Sequence, residues 1–215
     1  MYIFQPGRYL LEKQIKNAGR HIKGKVLDLG AGDLNRYGYL FDCDEYLKMD
    51  IKPGSNIDVV GSADNIPFPD RHFDSVVATQ VFEHLLDFEK AAKEVNRVLK
   101  PGGIILTTVP QWGELHSEPH DYWRFTNFGL IKLFERNGFS VISCVPVGGF
   151  FSMIAQLKIR YLIDKFNLYH HSFWGRLFSK MFLVYGIFMA WLDGIDGSKA
   201  NRKHTIGWCA VFKKL

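Results

Sequence analysis

The sequence predicts an α/β sandwich: a mostly parallel seven-stranded sheet with helices on both faces and a helical insertion before the last strand. Three observations carry that expectation. Short apolar runs of strand length alternate with helical segments along the first two thirds of the chain, the pattern of a parallel sheet covered on both sides. The run Val26-Leu27-Asp28-Leu29-Gly30-Ala31-Gly32 reads as a buried strand ending in a glycine turn, where the backbone bends sharply and approaches a ligand without a Cβ clash. With 215 residues and 47% hydrophobic content, the chain has enough apolar mass for one large core, with or without an appendage.

Taken in order, the elements begin with a helix from Tyr9 to Ala18, where Leu10, Leu11, Ile15 and Ala18 have helical spacing. Strands are expected at 25–29, 45–49, 57–60, 75–79, 104–109, 140–145 and 206–212. The stretch between Asp33 and Asp44 is short for a covering helix, so one or two turns are expected there. A clear helix starts after Asp87 as N-cap, places Phe88, Ala91, Ala92, Val95, Val98 and Leu99 on one face, and is stopped by Pro101-Gly102. Another follows Thr126 as cap, with Leu130, Ile131, Leu133 and Phe134 apolar, and stops at Asn137-Gly138.

The segment 150–203 reads as an insertion into a domain formed by 1–149 and 204–215. It holds two helical stretches, 153–167 and 174–192, and the second contains an unbroken apolar run from Met181 to Leu192. That run is shorter than the ~20 residues needed to cross a bilayer. Three placements stay open: a core helix packed on the sheet, a lid over an apolar substrate, or a helix in a membrane interface with Lys165, Arg176 and Lys180 nearby.

Charge is distributed unevenly. Residues 1–149 hold 17 Lys/Arg against 19 Asp/Glu, whereas 150–215 hold 10 against 3, within a net charge of +5. A basic C-terminal third suits a phosphorylated substrate, an anionic membrane surface or nucleic acid, or is a solvated face that keeps the chain soluble. Cys43, Cys144 and Cys209 are isolated, which excludes a zinc ribbon and a disulfide scaffold and points to a reducing compartment. The first residues lack the basic start and apolar stretch of a signal peptide. A cytoplasmic protein is expected, in peripheral contact with the inner face of the membrane if 150–203 touches lipid.

The glycine turn invites a nucleotide-like ligand, and Asp50 follows at the spacing where a carboxylate after the second strand reaches a ribose diol. A dinucleotide fingerprint, G-x-G-x-x-G, finds Asn35 at its third glycine position. Asp28 also puts an acid where a pyrophosphate needs clearance, and suits a cationic amino-acid end instead. The stretch resembles motif I of the class I S-adenosylmethionine (SAM) dependent methyltransferases. The resemblance continues through Asp50, through Gly61-Ser62-Ala63-Asp64-Asn65-Ile66-Pro67-Phe68, through Val81-Phe82-Glu83-His84-Leu85, and through Glu94 to Gly103. These blocks look most like the methyltransferase type 11 branch.

That resemblance implies a Rossmann-like fold and SAM as cofactor. Gly30, Ala31 and Gly32 would face its methionine part, with Asp28 orienting it through backbone groups and water. Asp50 would accept the ribose hydroxyls, Ile51 would pack on adenine, and Ser62, Ala63 and Asp64 would lie along its edge. Ser62 stands where relatives often carry Asp, which passes the adenine amine contact to Asp64 or to backbone. Gln80 would line the cofactor near the sulfonium.

On the acceptor side, the loop from Trp112 to Thr126 concentrates polar and aromatic side chains, with Trp112, Tyr122 and Arg124 expected at the substrate. Its His-Asp-Tyr-Trp-Arg-Phe-Thr portion resembles methyltransferases that accompany surface-polysaccharide enzymes. His120 is the first candidate base, His116 the second and His84 the third, since neutral imidazole takes a proton near neutral pH. Alternatively, His120 fixes the loop through Asp121, Arg124 caps or pairs with Glu118, and His84 supports the cofactor loop. The cluster His116, Glu118, His120 and Asp121 has metal-compatible donors but no metal-specific spacing, so no metal is expected. The sequence after strand four, Ala78-Thr79-Gln80-Val81, lacks the proline-rich motif of amino-methylating nucleic-acid enzymes, and no nucleic-acid partner is expected. The expected reaction is O-methylation of a small or lipid-linked acceptor such as a saccharide precursor. A non-catalytic SAM-fold scaffold and an NAD-dependent oxidoreductase are the rivals.

Overall fold

A computed structural model describes residues 2–34 and 36–215. Asn35, which stands at the third glycine position of a dinucleotide fingerprint, lies outside the described residues. Seven strands form one sheet: β1 (Lys25–Leu29), β2 (Glu45–Asp50), β3 (Val59–Val60), β4 (Phe73–Thr79), β5 (Leu99–Pro110), β6 (Phe139–Val147) and β7 (Gly207–Lys214). Their order is β3-β2-β1-β4-β5-β7-β6. β1 pairs in parallel with both β2 and β4, and β4 with β5. The amide of Leu215 reaches the carbonyl of Gly138, and Ser140 the carbonyl of Lys213, so β6 and β7 run antiparallel. The sheet is mixed, as expected for a late-returning last strand. Chain direction reverses its order between β1 and β4, which opens a crevice beyond the carboxyl ends of those strands.

The α-helices among the described residues are α1 (Pro6–Ala18), α2 (Phe88–Val98), α3 (Asn127–Arg136), α4 (Phe150–Lys165), α5 (Ser172–Ile195) and α6 (Lys199–Lys203). The two expected caps are in place. Asp87 accepts the amide of Lys90 at 2.8 Å, and Thr126 that of Gly129 at 3.1 Å. Two expectations need correction. α2 ends at Val98 rather than at Pro101-Gly102, because the chain is already extended from Leu99 to pair with β4 at Phe73. The apolar run Met181 to Leu192 is only the middle of α5, which has 24 residues, so the length argument against a membrane-crossing helix does not hold. Between Asp33 and Asp44 the helical content among the described residues is one short turn, Gly38–Leu40.

The chain divides into two compact units. The larger comprises 14–110, 116–145 and 208–215 and holds the main core, in which Leu27, Leu29, Val76, Val95, Ile105 and Phe134 are fully buried. Phe134 stacks on Phe212 with ring centroids 4.3 Å apart.

The smaller unit comprises 1–13, 111–115 and 146–207. Its core joins Ile3, Phe4, Ile159, Ile163, Leu168 and Phe182. Gly186 lets the N-terminal segment lie against α5, since a Cβ there would come within 2.7 Å of the Phe4 ring. The start of α4 is capped from a distance. Asp193, near the end of α5, accepts the amides of Gly149, Phe151 and Ser152, while buried Asn201 accepts that of Phe150. Asn201 also donates to the carbonyls of Asp193 and Asp196. The N–H groups that every helix start leaves without an intrahelical partner are thus satisfied, and a carboxylate sits at the positive end of the α4 dipole. Asn201→Ala strips three of these bonds and leaves the Phe150 amide without its cap, so it should destabilise the chain by about 1–3 kcal/mol. Denaturant unfolding of wild type and variant, read together with proteolysis inside 146–207, checks this; equal midpoints would show that the cap is dispensable.

Candidate functional site

The end of β1 is tied to the end of β2. Gly30 and Gly32 adopt left-handed φ of 71° and 62°. The amides of Gly30 and Ala31 both reach the carbonyl of Met49, at 2.8 and 3.1 Å, and the amide of Gly32 reaches Asp50 Oδ2 at 2.9 Å. Asp50 Oδ1 accepts the amide of Lys52 at 3.0 Å. The two glycines are needed for different reasons. A Cβ on Gly30 would lie 2.6 Å from Val81 Cγ2, whereas one on Gly32 would meet nothing within 4 Å. Gly32 therefore borders open space beside a fixed carboxylate, which is room for a ligand. Ile51 follows, largely exposed. Asp33, which the sequence did not single out, closes the turn from outside by accepting the amide of Asn56 at 2.9 Å.

Asp28 lies in the strand itself, nearly buried, and its Oδ2 accepts the hydroxyl of Tyr46 on β2 at 2.8 Å. Burial pushes its carboxyl up to about 7, against the opposing pull of that hydrogen bond and of Lys48. The same burial and the Asp28 charge raise the Tyr46 phenol. Tyr46 is a second residue that the sequence did not reveal; only its place on the strand beside β1 marks it.

The loop from Gly61 to Phe68 is anchored by α2. Glu94 accepts the amide of Ile66 at 2.9 Å, and Arg97 donates to the carbonyls of Ile66 and Phe68. Within that loop Ala63 is buried and Ser62 donates to Asp64, whose carboxyl is held below its usual range first by that bond and then by Lys90. Gln80, at the end of β4, has a left-handed φ of 56° and anchors to Thr108, its amide to the carbonyl at 3.0 Å and its side chain to Oγ1 at 3.2 Å. A non-glycine residue held in that region stores strain of a kind that clusters at functional sites.

The loop after β5 is stitched to the turn Phe82–His84 that follows β4. The amides of Tyr122 and Trp123 both reach the carbonyl of Glu83, and Trp123 Nε1 donates to the carbonyl of Leu85 at 2.8 Å. His84 Nδ1 lies 2.6 Å from the carbonyl oxygen of His120. A carbonyl only accepts, so Nδ1 carries the proton and Nε2 is the accepting nitrogen of the neutral ring. Burial lowers the His84 pKa and favours that neutral form, although the His120 carbonyl opposes the shift. Nε2 stands 4.0 Å from Glu83 Oε1, and the His116 ring meets the His84 ring edge-on at 4.9 Å.

Glu83 is the least expected feature. It is fully buried, neither carboxyl oxygen has a hydrogen-bond partner, and burial pushes its pKa up to about 8. Asp121 is its opposite. Arg124 grips it through two nitrogens at 2.7 and 2.8 Å, and the amide of His116 adds a bond at 3.0 Å. The Arg124 bonds hold its carboxyl down at about 2. The alternative loop pairings expected from sequence are thereby corrected. Arg124 takes Asp121 as its bidentate partner where the sequence offered Glu118, and His120 Nδ1 meets the Tyr122 hydroxyl at 2.8 Å where it offered Asp121. The reason is reach: Asp121 faces Arg124 three residues on, and the backbone turn brings His116 back to it.

Of the expected residues, the larger unit holds Asp28, Gly30, Ala31, Gly32, Asp50, Ile51, Ser62, Ala63, Asp64, Gln80, His84, His116, His120, Tyr122 and Arg124. Trp112 belongs to the smaller unit, where its amide reaches the carbonyl of Ile206. Glu83, His84 and His116 each present one ligand atom within 4.8 Å of the others, a donor set that suits a divalent cation. That spread exceeds the roughly 3–3.5 Å between ligands around a first-row ion, so the side chains would have to close in to bind one.

Residues 27–107 match a family model described as "Methyltransferase domain", of type 11. Among curated proteins, the ubiquinone/menaquinone biosynthesis C-methyltransferase UbiE of Shewanella oneidensis is 33% identical over 119 residues, 46% of this chain and 47% of that protein. The chain thus matches about half the length of this relative. Among solved structures, the [4+2]-cyclase SpnF has a TM-score of 0.63 at 17% identity, covering 95% of this chain and 79% of that one. Phosphoethanolamine N-methyltransferase 2 of Haemonchus contortus, solved with SAM, has a TM-score of 0.58 at 17% identity, covering 98% and 53%. The fold is that of the class I SAM-dependent methyltransferases, and residues 27–107 match the type 11 methyltransferase domain.

The two raised carboxyls make stability depend on pH. Each holds a proton in the native state above the pH at which the unfolded chain releases it, so its contribution is present below the unfolded value and lost as pH rises through about 7 for Asp28 and about 8 for Glu83. Melting temperature should fall as pH rises from about 4 to about 8, the window between the unfolded and native values of the two groups. The fall should shrink in Asp28→Asn and in Glu83→Gln, read by thermal unfolding across pH; a variant that keeps the full slope clears its residue of the role.

Proposed function

We propose, from the premise that residues 27–107 match the type 11 methyltransferase domain, that this chain transfers a methyl group from SAM to an oxygen of a small or lipid-linked acceptor such as a saccharide precursor. The observation that carries the cofactor half is the pairing of a fixed Asp50 carboxylate with the open space at Gly32. Both Asp50 oxygens keep a lone pair beyond the backbone bonds they accept, which suits a diol. Gly30, Ala31 and Gly32 hold the methionine part, Asp28 lies behind them, Ile51 packs on adenine, and Ser62, Ala63, Asp64 and Gln80 complete the pocket. SAM supplies, when bound, an electrophilic methyl on a positively charged sulfur.

The chain's own part is alignment, exclusion of water and the handling of one proton. An oxygen acceptor must lose a proton as it attacks. His84 is the group best prepared to take it: neutral by burial, its tautomer fixed by the His120 carbonyl, its accepting Nε2 beside a neutral Glu83. His120 and His116 keep supporting positions around it, and Tyr122 and Arg124 shape the loop. The matched relative is a C-methyltransferase, and a carbon acceptor would make the same demand for a base.

Calorimetry with S-adenosylhomocysteine tests the cofactor half against both rivals. Wild type should bind it and ignore NADH, and Asp50→Ala should weaken binding by about tenfold or more, the effect of losing charge-assisted hydrogen bonds. Binding should also tighten as pH rises through about 7, because the α-ammonium group of the ligand favours ionised Asp28. No binding at any pH would end the assignment. For turnover, tritiated methyl from SAM is followed into the aqueous and lipid-extractable products of a host-cell extract. His84→Gln should lower transfer by about 10²-fold or more with S-adenosylhomocysteine affinity unchanged. Binding with no labelled product from any fraction would favour the scaffold reading.

A further inference from the structure

The outward face of α5 is the largest feature that the methyltransferase reading leaves unused. Its back face packs into the smaller unit through Phe178, Phe182 and Tyr185. A neighbouring stripe carries Trp174, Leu177, Met181, Val184, Phe188 and Trp191, each more than 40% exposed, recurring at intervals of three and four residues. Phe173, Leu183 and Ile187 widen the exposed arc on one flank. By length and composition the helix is apolar enough to cross a bilayer, yet only 11% of its apolar window is buried. Water is a poor neighbour for such a surface.

We propose that this face is a membrane-docking surface on which the chain lies in the plane of an anionic leaflet. Three observations select that occupant. The charged residues of α5 on its exposed side are Arg176 and Lys180, both exposed, while its acid, Asp193, is taken up by the amides at the start of α4. Residues 150–215 as a whole carry 10 Lys/Arg against 3 Asp/Glu. Trp174 and Trp191 stand toward the two ends of the apolar stretch, and indole is the side chain that favours the headgroup boundary. A basic flank beside a long apolar face is the signature of an interfacial helix.

The packing decides between lying on the bilayer and spanning it. α5 spans about 36 Å, long enough to cross. To do so it would have to carry with it α4, which packs along its back and bears Lys158, Arg160 and Asp164, with Arg160 paired to Glu114 at 2.6 Å. Charges at the bilayer centre are costly. In-plane immersion wets only the apolar arc and leaves the charged back in water. A second copy is a poorer match, because the same face of a partner offers no free acid to Arg176 and Lys180, Asp193 being held by the amides of α4.

Flotation of the full chain with vesicles tests the proposal independently of the enzymatic reading, since S-adenosylhomocysteine calorimetry reports on that separately. The chain should float with phosphatidylcholine vesicles containing phosphatidylglycerol, less with phosphatidylcholine alone, and be released by alkaline carbonate. The exposed-site double variant Val184→Glu/Phe188→Glu should lose flotation while keeping its melting temperature and S-adenosylhomocysteine affinity. Arg176→Glu/Lys180→Glu should lose only the preference for the anionic vesicles. Failure to float on either vesicle, or flotation unchanged by Val184→Glu/Phe188→Glu, overturns the proposal. So does a concentration-dependent dimer abolished by that variant, which assigns the face to a second copy, and so does resistance to carbonate, which assigns it to a spanning helix.

Discussion

The bond from the Gly32 amide to Asp50 is the constraint on which the rest of the site depends. β1 and β2 are parallel neighbours, and two consecutive residues of β2, Met49 and Asp50, absorb the amides of Gly30, Ala31 and Gly32. A turn that spends its donors on the next strand cannot drift. The carboxylate that fixes it is fixed in return, so the pocket's floor and its one acidic wall share a single geometry before any ligand arrives. Val81 then packs against Gly30, and through Val81 the turn after β4 inherits the same register. Preorganisation of this kind spares a ligand the ordering cost it would otherwise have to offset.

Around that fixed turn the ionisable groups divide into two kinds. Asp121 and Arg124 are fully charged and fully paired, and they brace the loop. Asp28 and Glu83 are buried acids whose raised pKa values keep much of their population neutral near pH 7. A buried carboxyl without a partner costs stability, of the order of 1–3 kcal/mol for an unsatisfied polar group. A fold selected for stability alone would place an amide or a methyl group there. The strained backbone at Gln80 adds a further local cost in the same crevice. Proteins retain such costs where the site has work to do.

Much of this was legible in the sequence because it depends on local rules. Strand periodicity, the caps Asp87 and Thr126, and the Gly30/Gly32/Asp50 spacing involve residues close in the chain or separated by one βα unit. What sequence could not supply was side-chain partnership across elements. Tyr46 meets Asp28 through strand register, and the burial that leaves the Glu83 carboxyl without a partner comes from the folded surroundings, while the Tyr122 and Trp123 amides are taken by its backbone carbonyl. Composition places His116, His120 and Asp121 in one loop but cannot say which imidazole faces which carboxylate. A turn of the backbone decides it, setting the His120 carbonyl on His84 and Asp121 on Arg124 and His116. The α4 cap is similar: Asp193 and Asn201 are 42 and 51 residues from Phe151 and Phe150.

The cap also bears on why α5 is exposed at all. A helix that served only to complete a core would gain by rotating its apolar arc inward. Asp193 forbids that rotation, because its carboxylate must point at the start of α4 while Gly186 must face the Phe4 ring. With those two positions set about a third of a turn or less apart on one face, the arc from Trp174 to Trp191 is committed to the outside. The apolar surface is therefore an enforced consequence of how α4 is closed. Such enforcement is hard to reconcile with an accident of a loosely packed appendage, and it makes the outward face something the fold presents.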